Sequence, residues 1–307
     1  MARIFTRKVT ILISTLLTVL IGLSIYILFI FREKASPDQG YGLGQGKPNQ
    51  LGIKEEKHIN SLNEQVLARD TKAYIRDVPL PLDPKTDQGL RDFRAKAKDL
   101  LDSYPESFFV SIPTDEKIVA LTFDDGPGKG STEKILEILN ENKVPASFFY
   151  IGKQIESYKQ IVMTTIKGEH MLANHSWSHQ RPTSLDIEGF KHELYACQQA
   201  LAPYGEIGKI YRPPYGLVTA QQMDLLEQAG YRAVAWSVDS MDWYFDEADK
   251  IIECVCQSVH PGAIILMHSS GGPNGRQATV KALPEIIARL KEAGYSFVTI
   301  KGLFDYN

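Results

Sequence analysis

From Ile118 onward, short apolar, β-prone runs alternate with helical repeats until the chain ends, and this alternation leaves few folds open. Residues 118–123, 147–151, 171–173, 209–211, 233–237, 263–267 and 296–300 read as strands. Residues 132–142, 154–167, 187–201, 220–228, 248–259 and 279–292 between them read as helices. Strands joined by helices must run parallel, either in an open doubly wound sheet or in a closed ring. A nucleotide-binding doubly wound sheet would carry a Gly-rich turn after its first strand, whereas this chain has the acidic stretch Thr122-Phe123-Asp124-Asp125-Gly126-Pro127. The expected class is therefore α/β, a distorted (β/α) barrel of about seven parallel strands.

The first hundred residues belong to a different regime. Residues 9–31 hold no charge and are rich in Leu, Ile, Val and Phe, enough for a hydrocarbon core that needs about 20 residues. Arg3, Arg7 and Lys8 precede the stretch, so the expectation is a transmembrane helix with its N-terminus in the cytoplasm and the rest of the chain outside. A cleaved signal peptide is the rival, but it would have a shorter apolar core and a small-residue cleavage site, and none follows Phe31. Residues 36–52, rich in Gly, Pro, Gln and Asn, read as a flexible tether, and 53–86 take no assignment. Leu90, Phe93, Ala97, Leu100, Leu101 and Tyr104 recur at helical spacing up to Pro105, giving a helix that either packs on the main domain or stands as a stalk. The expected division is 1–34 cytoplasmic tip and anchor, 35–114 linker and helical stalk, and 115–307 the α/β domain. The expected location is the cell membrane, single-pass, with the α/β domain on the outer side.

A formal net charge of -3 gives no basic footprint, which excludes nucleic acid as a partner. Cys197, Cys254 and Cys256 form no CxxC pair and read as small buried residues on helices rather than zinc ligands. His58, His170, His192 and His260 fall before the domain, before a strand, within a helix and before a Pro-Gly turn; all four read as structural or solvated.

The chemistry-bearing residues fall elsewhere, each just after a strand or at its end. Asp124 and Asp125 close the first strand; two adjacent carboxylates repel, and a metal on one would leave the other as a base, though a DDG turn is also an ordinary turn. His175 and His179 follow the third strand, and on a helix their spacing of four would place both imidazoles on one face; the alternative is a polar loop with two exposed histidines. Arg212 opens Arg212-Pro213-Pro214-Tyr215-Gly216 after the fourth strand, a rigid turn whose guanidinium could clamp a carboxylate or simply sit at the surface. Asp239-Ser240-Met241-Asp242-Trp243 follows the fifth strand and His268 ends the sixth; a carboxylate beside that His would favour the imidazolium a general acid requires. On a parallel barrel all of these converge on the C-terminal face, where active sites are built.

These residues also carry a resemblance. Residues 115–302 closely resemble the polysaccharide deacetylase family, carbohydrate esterase family 4 with its NodB-homology domain, through five motifs in order: TFDDG at 122–126, H-S-x-x-H at 175–179, R-P-P-Y at 212–215, D-x-x-D-W at 239–243 and L-x-H at 266–268. The resemblance implies hydrolysis of N-acetyl, sometimes O-acetyl, groups on polymeric sugars. It implies Asp125, His175 and His179 as ligands of a divalent metal, most simply Zn2+, with Co2+, Mn2+ or Fe2+ as options. It implies Asp124 as general base with Arg212 as its charge partner, His268 as general acid tuned by Asp242, and the Tyr215 N–H as oxyanion donor. Trp243 and Leu266 would be apolar walls of the substrate site. With an outward-facing domain, the expected partner is cell-wall polysaccharide, foremost the N-acetylglucosamine of peptidoglycan. N-acetylmuramic acid, chitin oligomers and O-acetylated polymers are the alternative substrates, and a non-catalytic envelope sugar-binding protein is the alternative class.

Overall fold

The computed structural model describes residues 75–306 apart from Glu206 and Pro273. The expected anchor, the tether and His58 lie outside the described residues; within them no helix is long and apolar enough to cross a membrane.

The centre of the fold is β2 (Ile118–Asp124), whose seven residues are all buried, as in a strand covered on both faces. Alternate residues serve two cores: Val119, Leu121 and Phe123 pack in one cluster, Ile118 and Ala120 in the other. β2 lies between β3 (Ser147–Tyr150) and β8 (Ala263–His268), both parallel to it. Beyond β3 come β4 (Met171–Asn174), β5 (Ile210–Tyr211), β6 (Arg232–Val234) and the short β1 (Phe108–Phe109); beyond β8 lies β7 (Val238–Asp239). β9 (Ser296–Phe297) pairs with β2 beside this path. Every pairing between these strands is parallel. Because β6 and β7, near opposite ends of the order, are neighbours in the chain, the sheet must curl back on itself into a parallel half-barrel.

The strand expected at 233–237 is thus two strands with a break. At the break the Val234 and Ala235 carbonyls accept hydrogen bonds from Arg212 Nε at 3.1 Å and Nη2 at 3.0 Å. A side chain remote in sequence satisfies backbone groups there, and no local pattern announces it. The last expected strand is also cut short: Thr299 turns the chain by accepting from the Gly302 N–H and opens a helix at Ile300.

The helices α2 (Ser131–Glu141), α3 (Gly152–Ile155), α4 (Lys159–Lys167), α5 (Ile187–Leu201), α6 (Ala220–Gln228), α7 (Ala248–Ser258), α8 (Gln277–Glu292) and α9 (Ile300–Phe304) follow in chain order. Upstream of them stands α1 (Pro84–Ser103), with Pro84 at its first position and Asp83 capping the N–H groups of Lys85 and Thr86 at 3.0 and 3.1 Å. Its Leu90, Phe93, Ala97 and Leu100 are buried, and Phe93 stacks on Trp236 with ring centroids 4.9 Å apart. This helix belongs to the folded body and not to a stalk, so the body extends upstream of residue 115. Cys197 and Cys254 are buried, Cys256 is partly so, and all three are free thiols on helices.

Candidate active site

Parallel pairing fixes where the strand ends fall. Asp124 is register partner of His268, and Tyr150, Asn174 and Tyr211 mark the same rim on β3, β4 and β5. His175 and Arg212 are the next residues along the chain, so base, ligand, Arg and acid candidates share one edge of the sheet.

Successive strand residues point to opposite faces, so Asp124 and Asp125 should diverge. They do not, because Asp125 is left-handed with φ 69° ahead of Gly126, a conformation Asp tolerates better than most residues. Asp124 Oδ2 and Asp125 Oδ1 each lie 3.6 Å from His175 Nε2, and Asp125 Oδ1 is 3.2 Å from His179 Nε2.

His175 and His179 come together without a helix. They sit in a loop in which Ser176 and His179 are left-handed, φ 67° and 62°. Asn174 Oδ1 accepts from the Ser176 N–H at 2.9 Å, and Ser176 Oγ accepts from the His179 N–H at 2.9 Å. An Asx-type turn therefore places the second imidazole; of the two alternatives the segment is the loop, but with both imidazoles turned toward Asp125 rather than out to solvent.

The ligand atoms of Asp125, His175 and His179 lie within 4.8 Å of one another. The His175 Nδ1 sits 2.8 Å from the Arg212 carbonyl, which can only accept, so Nδ1 carries the proton and Nε2 presents a lone pair. That lone pair faces Asp125 Oδ1, a buried oxygen with no hydrogen-bond partner. Lone pairs facing lone pairs in a buried site fit a cation. Burial, reinforced by His175, pushes the His179 pKa down to about 4, which keeps the imidazole neutral and able to ligate. Burial works to raise Asp125, but the surrounding imidazoles outweigh it and hold this carboxyl well below its usual range.

Two ion pairs flank the triad. Arg212, fully buried, donates through Nη1 to Asp124 Oδ1 at 2.7 Å and to Thr122 Oγ1 at 2.8 Å. One carboxylate oxygen of Asp124 is thereby fixed and Oδ2 is left toward His175. Burial lowers the Arg212 pKa while Asp124 opposes it. On the other flank, His268 Nδ1 lies 2.6 Å from Asp242 Oδ1, and the His268 N–H and the Thr279 hydroxyl donate to Asp242 Oδ2 at 2.8 and 2.7 Å. Burial opposes protonation of His268, but the Asp242 charge and hydrogen bond prevail and raise its pKa to about 9. Nε2 is then a proton donor throughout the neutral range.

The remaining expected site residues sit around this centre. Tyr215, half exposed and left-handed at φ 62°, has its ring centroid 5.1 Å from that of His179. Trp243 is exposed, with its indole N–H held by Asp239 at 3.1 Å. Leu266 is buried beside Asp239 in the β7–β8 ladder. Burial raises Asp239 to about 6. His170 is buried with Nδ1 accepting from the Ala146 N–H, His260 is bonded to Ser237, and His192 is exposed on α5; the described histidines outside the site are structural or solvated, as expected.

Two participants carry no motif. Arg276, left-handed at φ 57°, donates to the Asp242 carbonyl at 2.9 Å and the Ser270 carbonyl at 3.0 Å, and its Nη2 lies 3.8 Å from Asp125 Oδ2. Arg181 lies with its guanidinium carbon 3.9 Å from the centre of the Tyr215 ring. Neither stands at a strand end, the one positional signal the sequence offers.

The geometry agrees with three kinds of comparison. Residues 111–234 match the family model for polysaccharide deacetylase. A peptidoglycan-N-acetylglucosamine deacetylase of Bacillus cereus is 35% identical over 199 residues, 64% of this chain and 72% of that protein. A chitooligosaccharide deacetylase of Rhizobium leguminosarum bv. trifolii is 33% identical over 195 residues, 60% of this chain and 90% of that one. Among solved structures, the Bc1960 peptidoglycan N-acetylglucosamine deacetylase in complex with 4-naphthalen-1-yl-N-oxidanyl-benzamide superposes with a TM-score of 0.65 at 33% identity, covering 69% of this chain and 98% of that one. With the shared fold, the matching family model and relatives at this identity and coverage, this chain belongs to the polysaccharide deacetylases of carbohydrate esterase family 4.

Proposed function

We propose that this chain removes the acetyl group from N-acetylglucosamine in peptidoglycan, in a reaction that depends on a divalent cation held by Asp125, His175 and His179. The carrying observation is the orphaned Asp125 Oδ1 facing the two imidazoles, with a carboxylate–Arg pair on one flank and an imidazole–carboxylate pair on the other.

A cation there, with zinc the best match to two imidazoles and a carboxylate and cobalt, manganese or iron also compatible, would polarise the acetamide carbonyl and bring the pKa of water toward about 7. Asp124 takes the proton of the attacking water on Oδ2, while Arg212 holds Oδ1 and keeps the carboxylate in place. The N–H of Tyr215 donates to the developing oxyanion, the kind of contact worth about 10²–10³ in rate. His268 gives its Nε2 proton to the departing nitrogen, without which the intermediate would revert to amide. Trp243 and Leu266 are the apolar walls of the substrate site, Leu266 facing the acetyl methyl. The C–N bond is broken, a C–O bond is made, and acetate and a free amino sugar leave.

The apolar segment at 9–31 supports a single-pass anchor, and residues 36–52 support a tether with an r.m.s. span of only about 25 Å if fully flexible. The enzyme would then work on wall polymer close to the outer face of the cytoplasmic membrane. The Rhizobium relative favours chitin oligomers as the second reading.

Mass analysis of muropeptides treated with the full-length protein in detergent tests the assignment. The expected result is loss of one acetyl mass localised by fragmentation to N-acetylglucosamine. Loss from muramic acid, or release of acetate from chitin oligomers alone, would overturn the substrate, and activity undiminished after exhaustive chelation would overturn the metal.

A further inference from the structure

Arg181 occupies a position that the motif roles do not use. Its guanidinium carbon lies 3.9 Å from the centre of the Tyr215 ring, whose centroid is in turn 5.1 Å from that of His179. The charge therefore stands one ring beyond a metal-ligand candidate, on the β4–β5 flank of the site, while Trp243 stands on the β7–β8 flank.

The mounting is rigid. Pro182 restricts the backbone of Arg181 to an extended conformation, φ -64° and ψ 115°. The Arg181 carbonyl accepts from the Ser184 N–H at 3.1 Å and the Ser184 hydroxyl at 2.8 Å. The next carbonyl, of Pro182, accepts from the buried Gln222 side chain at 2.8 Å, which ties the loop to α6. The Tyr215 ring beneath it limits where the guanidinium can lie. Yet among the described residues none accepts a hydrogen bond from that guanidinium or pairs with its charge.

A planar, oriented cation with its donors idle matches a carboxylate through two parallel hydrogen bonds; to a neutral hydroxyl it offers little more than water does. Building on the deacetylase reading above, we infer that Arg181 is a specificity-determining residue that binds a carboxylate of the glycan next to the acetamide under attack. The site would thereby favour an acidic glycan bearing lactyl or peptide carboxylates over a neutral chitin-type chain.

The test uses the full-length protein in detergent with two oligosaccharides, a GlcNAc–MurNAc tetrasaccharide with free lactyl carboxylates and chitotetraose. Acetate release and calorimetric binding are measured for wild type and Arg181→Gln. The expected result is that the acidic-to-neutral ratio of kcat/KM falls about five- to tenfold in Arg181→Gln, through KM. The wild-type preference should also shrink at high salt, and Arg181→Lys should restore it only in part, since a point charge lacks the fork. An equal change on both substrates, or none, overturns the inference. Failure of the reaction itself is seen separately. A wild-type protein that releases no acetate but still binds the acidic oligosaccharide preferentially through Arg181 refutes the deacetylase reading and upholds the carboxylate site. One that releases acetate without that preference does the reverse.

Discussion

Two buried ion pairs give the site its asymmetry, and each makes a prediction about a single residue. Asp124 has one oxygen committed to Arg212, so Asp124→Asn keeps nearly the same shape while removing the carboxylate proposed as proton acceptor. Turnover should fall by at least about 10²-fold, the low end for a general base, while divalent-metal stoichiometry measured by mass spectrometry stays at the wild-type value. Retained activity would sink the base assignment. The His268–Asp242 pair predicts a pH dependence. His268 is raised from 6.5 to about 9, so its contribution to stability is fully present below its unfolded pKa and is lost as pH rises through about 9. Asp242, held below its ordinary range by the His268 charge against the opposing effect of burial, contributes stability that is lost only as pH falls through the carboxylate range. Asp242→Asn should therefore narrow the difference in urea stability between about pH 6 and pH 10 in metal-free protein, and should bring the alkaline limb of kcat/KM down toward the ordinary His value near 6.5. A limb that stays near 9 in this variant would show that another group sets it.

At the scale of elements, the reading of the sequence succeeded where chemistry sits at the end of a continuous apolar run. Ile118–Asp124 and Ala263–His268 announce themselves as buried parallel strands, and their register delivers Asp124 to His268. It failed where side chains distant in sequence substitute for a ladder. The break between β6 and β7 depends on Arg212, which an alternation of apolar residues cannot reveal. The His175–His179 spacing suggested a helix because four is a helical interval, yet the same interval is reached here by two left-handed residues and a Ser side chain. Ser176 thus has the task a helix backbone would have had. Ser176→Ala removes the acceptor of the His179 N–H without touching a ligand atom, and support of this kind is worth about 10–100-fold in metal affinity. Zinc titration against a competing chromophoric chelator should show weakening within that range; unchanged affinity would mean that the left-handed backbone alone positions His179.

At the scale of the whole molecule, all of the described residues fall in one compact unit, and α1, which no motif marks, supports the active face. Its Phe93 stacks on Trp236, and both rings close on Gly216: a Cβ there would lie 2.6 Å from Phe93 Cε2 and 2.7 Å from Trp236 Cη2. Gly216 is left-handed at φ 79° and directly follows Tyr215, so the aromatic pair braces the backbone of the turn that carries the proposed oxyanion donor and the ring beneath Arg181. Helical periodicity located α1 but could not say what its apolar stripe covers, because Trp236 lies 143 positions downstream of Phe93 in sequence. Phe93→Ala should cost about 3–5 kcal/mol in urea unfolding, as expected for truncating a buried aromatic side chain. It should also lower kcat at temperatures where the protein is still fully folded, since the Tyr215 turn loses its backing. Phe93→Leu fills more of the space and should recover most of the stability, but less of the rate if a flat ring is what holds Gly216. If Phe93→Ala lowers stability alone and leaves kcat intact, the helix is only a cover for the sheet and the turn holds its shape unaided.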